Sequence, residues 1–248
     1  MSFVQVTVAW LTNPANWQGS GGIPARLVEH LALSGAALLI ALVLALPVGL
    51  YVGHARRGAG VAVGLSNVGR AIPSFALMGI ILPITQAVDP QNGFTVYPTL
   101  LAMAILAIPP ILINTMTGVA EVDAELVEAA RGMGFTERQL LRGIEVPLAL
   151  PVILGGIRSA TVQVIATTTL GAILAYGGLG RFIIDGIAQS DDGQLYGGVV
   201  LVAALALLGE GTLALAQRVV QRRQGVTSGS VRPFREPGEG PRPADGFS

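Results

Sequence analysis

The chain has 248 residues, no formal net charge and no cysteine. Charged residues make up 12% against 52% hydrophobic, where a soluble domain carries about 25% charged. This composition excludes disulfides and thiolate metal sites, gives no electrostatic footprint for nucleic acid, and sets the chain among polytopic helical membrane proteins.

Residues 1–25 hold no arginine or lysine, and the first apolar run is too long for the core of a secretory signal. Residues 1–26 read as an extracytoplasmic lead-in that lies at the membrane interface through Trp10 and Trp17. A helix needs about 20 residues to cross a core about 30 Å thick. Five spans are predicted on that basis, at about residues 27–52, 61–84, 98–119, 149–175 and 197–217. Pro73-Ser74 predicts a kink in the second, since proline removes an i→i−4 bond. Residues 89–93, DPQNG, form a loop, and 176–195 form a Gly/Asp-rich loop with a short amphipathic piece over 181–189. Residues 221–248 read as a disordered tail.

Five spans put the termini on opposite sides. With the C-terminus inside, Arg56, Arg57, Arg131, Arg138, Arg142, Arg218, Arg222, Arg223, Arg232, Arg235 and Arg242 are cytoplasmic, 11 arginines against Arg26 and Arg181 outside. The positive-inside rule then places the N-terminus outside.

Residues 121–151 break the apolar pattern, with 6 of the 15 acidic residues and 3 of the 15 arginines. A helix is predicted over 122–133. Glu121, Glu125 and Glu128 share one face at i, i+4, i+7, and Ala124, Val127 and Ala130 line the neighbouring one. Gly132 and Gly134 are suited to end it. Thr136 then caps a second helix over 137–143, which Pro147 stops before the next span begins. Small residues on one side permit close docking into a groove, and carboxylates can meet cations there; a plain solvated loop is the alternative.

Glu128-Ala129-Ala130, three residues, Gly134, nine residues, then Ile144-x-Val146-Pro147 resembles the EAA signature of bacterial ABC-importer permeases. Val146 stands where that family usually has leucine. RAIPSFALMGIILP (70–83), IPPILINTMTG (108–118) and GIRSATVQVIATTTLGAILAYGGLGRFI (156–183) resemble the osmoprotectant branch, the permeases for glycine betaine, carnitine, choline and proline betaine. The likeness covers about residues 27–220.

The resemblance implies an all-α, MetI-like type I permease fold over 27–220 in a bacterial inner membrane. It makes residues 121–147 a coupling segment that docks on a separate ATPase subunit through Glu128, Ala129, Ala130, Gly132, Gly134, Ile144 and Pro147. It further implies two ATP-binding subunits, which bind ATP and Mg in place of this chain, a second permease half (another copy or a paralogue), and an extracytoplasmic solute-binding protein. Gly177, Gly178 and Gly180, in a flexible polar rim with Arg181, Asp185, Asp191 and Asp192, would belong to the outer gate.

Charges inside a bilayer cost at least ~2.5–3.5 kcal/mol on insertion scales and so face a cavity or a partner. Arg70, Arg158 and Glu210 lie inside spans. An Arg158–Glu210 ion pair that locks helix packing is one hypothesis; gating and substrate contact are the others. Ser159, Thr161, Gln163, Thr167, Thr168 and Thr169 form a polar stripe in the fourth span, with Asn114, Thr115 and Thr117 in the third. Either pore lining or helix contact accounts for them, and Asn114, Thr115, Ser159, Gln163, Thr167 and Thr168 are the candidate path residues. Nothing resembles an aromatic cage for a quaternary ammonium, so high-affinity recognition is expected on the binding protein. His30 and His54 sit at opposite ends of the first span, about 36 Å apart by helix rise; they cannot share a metal, and interface positions account for both.

No phosphate loop, nucleophile elbow, HExxH or Rossmann fingerprint occurs, so the chain is not expected to be an enzyme. Three rivals stay open. A permease for methionine or another amino acid is the same machine with other cargo. An ion-coupled secondary transporter needs a carboxylate near the midplane, for which Glu210 is the candidate. A membrane assembly factor leaves the EAA spacing unexplained.

Overall fold

The structure, a computed structural model, describes residues 2–91 and 93–223, so most of the expected tail lies outside the described residues. Among them every regular element is helical. Four helical runs are long and apolar enough to cross a membrane: α2 (Ile23–Ala55), α5 (Val96–Ala120), the run Glu137–Leu174 that contains α8 (Val146–Thr168), and α10 (Asp192–Arg223). These helices outrun the expected spans by several residues, because hydropathy marks the apolar stretch while the backbone stays helical into the polar margin.

The expected second span is a broken pair. α3 (Ala59–Ala71) and α4 (Ser74–Val88) meet at 91°, so the count is four spans, or five with this pair as one. The expected kink is therefore a full break. Proline's Cδ pushes the preceding residue out of the α region, and Ile72 is extended at φ −79°, ψ 121°.

α5 is the central element, buried along most of its length, and Pro109 and Pro110 sit inside it without ending it. α2 packs on it through a stripe of small residues at every fourth position, Ala37, Ala41, Ala45, Gly49 and Gly53, all buried. In a bilayer, close backbone approach and dispersion replace the hydrophobic drive between helices. A Cβ at Gly49 would lie 2.8 Å from the Thr115 Cβ, and one at Gly53 2.7 Å from the Met116 carbonyl. α8 crosses α5 on the other side, where a Cβ at Gly156 would lie 2.6 Å from the Asn114 Cβ.

The first residues are more than a lead-in. α1 (Phe3–Thr12) starts with a Ser2–Gln5 capping box and packs on α10. Trp10 stacks edge-on against Phe182 of α9 (Gly180–Gln189), centroids 5.1 Å apart. Trp17 is half exposed, as an interfacial residue can be.

At the opposite end of the bundle lie α6 (Ala124–Gly132) and α7 (Glu137–Leu140). Pro147 does not stop the second of these helices. The chain passes from α7 through one π turn, Leu141–Glu145, straight into α8. Proline tolerates the first turn of a helix, where its missing N–H is not needed. The π turn makes the junction: Val146 N–H reaches back five residues to the Leu141 carbonyl.

Candidate functional site

The polar segment is a compact helix pair. Asp123 caps α6 by accepting from Glu125 N–H at 2.8 Å. α6 ends in a Schellman motif, with Phe135 N–H on Ala130 O at 3.2 Å, Gly134 N–H on Arg131 O at 2.9 Å, and Gly134 at φ +87°. Gly134 is thus the terminator, and Gly132 is simply the last helical residue. Thr136 and Gln139 form a capping box that starts α7.

The two faces of α6 divide differently from the expected pattern. Val127 and Ala130 are buried on Val122 and Leu140, with Ile144 packed alongside. Ala130 therefore cannot meet a partner, because its face closes on α7. Glu128, Ala129, Gly132, Gly134 and Pro147 are exposed, and Ile144 is half-buried. Sequence pattern alone missed the apolar tip, Leu126, Met133 and Phe135, exposed at 45%, 71% and 41%. An exposed apolar patch beside charge is what a docking partner covers. Phe135, Thr136, Arg138, Gln139, Arg142 and Gly143 line an open groove of about 500 Å³ on this surface.

Behind α6 lies a cleft of about 200 Å³, lined by His54, Arg56, Glu128, Arg131 and Glu145 among others. Arg131 grips Glu137 with two 2.9 Å bonds, which hold its guanidinium above the usual range. Arg56 donates to Val122 O at 3.0 Å. His54 faces Glu145 and Glu137, at 2.5 and 3.1 Å. The sequence pattern does not show these five residues as a cluster. The signal was Glu145, a lone carboxylate between Ile144 and Val146 that needs a partner. His54 is thus a partnered residue, more than an interfacial one. His30 likewise is fully buried; its Nε2 donates to Ile165 O at 2.9 Å.

The polar stripes divide into two sets. Thr115 is fully buried against Gly49, and Thr168 is buried, accepting from Ser34 Oγ at 3.1 Å. Both are enclosed by helices of this chain, so they belong to helix contacts and not to a path. Ser159, Gln163 and Thr167 lie at four-residue spacing on one face of α8, exposed or half-buried. Asn114 is half-buried and donates to Pro110 O at 2.7 Å.

Arg158 Nε lies 3.1 Å from Glu210 Oε1, which joins α8 to α10. Arg158 also donates to Gln217 Oε1 at 2.9 Å, and Gln217 donates to Pro151 O at 2.8 Å. Arg70 is exposed in the last turn of α3.

The glycine run 177–180 is clamped rather than flexible. Gly178, at φ +75°, donates its N–H to Glu29 Oε2 at 2.7 Å. Tyr176 donates to Glu29 O at 2.9 Å; burial, then the Glu29 charge, push this phenol above its usual range. A Cβ at Gly177 would collide with the Glu29 carboxylate, and one at Gly180 with the Thr169 carbonyl. Arg181 pairs with Asp185 at 2.9 Å.

Long apolar helices, one broken span and a capped helix pair at one end define a multi-pass membrane protein. The chain belongs to the family of binding-protein-dependent transport system inner membrane components, which its residues 35–226 match. It is 33% identical over 192 residues to the glycine betaine/carnitine/choline transport system permease protein OpuCB of Bacillus subtilis, 77% of this chain and 85% of that one. It is also 33% identical over 189 residues to the osmoprotectant import permease protein OsmW of Salmonella typhimurium, 76% of this chain and 87% of that one. Among solved structures, inward-facing conformations of the MetNI methionine ABC transporter superpose with a TM-score of 0.72 over 84% of this chain and 99% of theirs. At 23% identity that likeness concerns the fold alone.

Proposed function

We propose that this chain forms half of the translocation pathway of an ATP-driven importer for compatible solutes of the betaine, carnitine and choline kind. The observation that carries the solute class is the 33% identity to osmoprotectant permeases across three quarters of the chain. The projecting helix pair supports the coupling role: Glu128 and Ala129 lie beside the exposed Met133 and Phe135 at the end of the bundle. A separate ATPase subunit would seat on that surface and carry the ATP and Mg. Two such subunits, a second permease half and an extracytoplasmic binding protein complete the machine. The arginine count supports a cytoplasmic polar segment and C-terminus, with the N-terminus outside.

The Ser159–Gln163–Thr167 face, with Asn114, is polar without a fixed charge and open on the surface of the single chain. A second half would close it into a weakly binding path. Glu210, the candidate proton or sodium site, is engaged by Arg158, which disfavours an ion-coupled carrier. The test is uptake of labelled glycine betaine into vesicles that hold the full complex. ATP-dependent uptake, competed by choline or carnitine and not by methionine, is expected. Methionine uptake in its place, or uptake driven by an ion gradient without ATP, would overturn the proposal.

A further inference from the structure

His54 sits in the last turn of α2, and neither the proposed docking surface nor the proposed path uses it. Both of its ring nitrogens face carboxylates: Nδ1 is 2.5 Å from Glu145 Oε2 and Nε2 is 3.1 Å from Glu137 Oε2. Glu145, in the π turn, is 3% exposed. Glu128 and Arg131 from α6, and Arg56 beside His54 on α2, line the same cleft. Arg131 is committed to Glu137 and Arg56 to the Val122 carbonyl. Among the described residues no such cluster has metal-binding geometry; the Glu145 contact is a hydrogen bond and the Glu137 contact lies at ion-pair distance.

An ionised carboxylate only accepts, and a neutral imidazole offers one N–H and one lone pair. Two carboxylate contacts are therefore satisfied together only when both ring nitrogens carry hydrogen. With one proton gone, a lone pair faces a carboxylate oxygen. Glu137 is exposed and already gripped by Arg131, so it is the contact that gives way, while the remaining N–H stays with the buried Glu145.

We propose that His54 is a positioning residue: it ties the end of α2 to α7 and to the head of α8 at once, and the tie closes fully only when the ring is doubly protonated. Its use in transport rests on reading residues 121–147 as the coupling segment, since α2 would then receive the ATPase's push together with α8.

The chain has no cysteine, so two spin labels can be introduced cleanly, at Tyr51 on α2, 71% exposed, and at Glu125 in the first turn of α6, exposed and outside the proposed docking surface. Their separation is measured in the full complex in nanodiscs at about pH 6 and about pH 8.5, on either side of the range where histidine titrates. The unsubstituted His54 chain is expected to give one narrow distance at the lower pH and to gain a second, longer population of at least about 10% at the higher. His54→Gln should show that second population at both values. His54→Arg, whose guanidinium donates to both carboxylates at either pH, should stay narrow throughout. One unchanged distribution for His54 at both pH values, shared by His54→Gln, overturns the tie. The pH comparison needs no substitution at His54, so misfolding cannot mimic it. Co-purification of the ATPase with Gly134→Asp is read separately: full retention removes the coupling reading and leaves the tie standing.

Discussion

Alanine at Gly132 and alanine at Gly134 should act in opposite directions. A Cβ at either position meets nothing within 4 Å, so neighbours drop out and the backbone decides. Gly134 holds φ +87°. An L-residue there takes on about 1–2 kcal/mol of left-handed strain and weakens the Gly134–Arg131 and Phe135–Ala130 bonds that close α6. Gly132 is helical, where alanine gains about 0.5–1 kcal/mol over glycine. At 1.4 kcal/mol per tenfold, local opening of α6 should rise about five- to thirtyfold in Gly134→Ala. In Gly132→Ala it should fall about two- to fivefold by the same conversion. Hydrogen exchange of the amides between Leu126 and Phe135, in detergent or nanodiscs, reads this local opening directly. ATPase binding should follow the same order, because α6 presents Glu128 and Ala129. Equal signs at the two glycines, or lost protection in Gly132→Ala, would refute the Schellman assignment and with it the reason for glycine at 134.

Three further outcomes are expected. Glu210→Leu leaves the Arg158 guanidinium with Gln217 as its remaining side-chain partner, so it should lower the melting temperature more than the double variant Arg158→Leu/Glu210→Leu does; strictly additive losses would show the pair to be uncoupled. Gly180→Ala drives a methyl into the Thr169 backbone and should cost about 1–3 kcal/mol by overpacking, while Gly79→Ala, inside α4 with open space around it, should gain about 0.5–1 kcal/mol over glycine; equal melting curves for the two variants would show that the glycine run is loosely held. Gln163→Leu should cut glycine betaine uptake severalfold with ATPase co-purification intact, and unchanged uptake would take this face off the path.

The long helices were readable because runs of apolar residues need no partner information to be recognised. Their ends were less so, since a helix continues past its last apolar residue wherever caps or the interface satisfy the backbone. Pro73 marked the site of the break but not its size: local sterics dictate that Ile72 leaves the helix, while the 91° depends on what α4 then packs against. Gly134 and Thr136 announced a helix–turn–helix, because positive φ and capping are local chemistry. The inward face of α6 was not legible. Ala124, Val127 and Ala130 look alike as a small stripe, and it is contact with Leu140 that hides Ala130. The His54–Glu145 contact joins residues 91 positions apart, and no periodic pattern links two single polar residues at the margins of different helices.

The π turn that carries α7 into α8 has a mechanical consequence. Glu137–Leu174 is one helical run of 38 residues, about 57 Å long at 1.5 Å per residue. Near its midpoint Gly156 lies against Asn114 of α5 at backbone distance. Toward the far end Gly171 lies against Thr99 of the same helix, where a Cβ would come within 2.7 Å. A run held on α5 at its middle and near its end should move with α5 as one unit, so that thrust on the helix pair would reach Thr169–Leu174, beside the loop that Glu29 clamps, by rigid displacement.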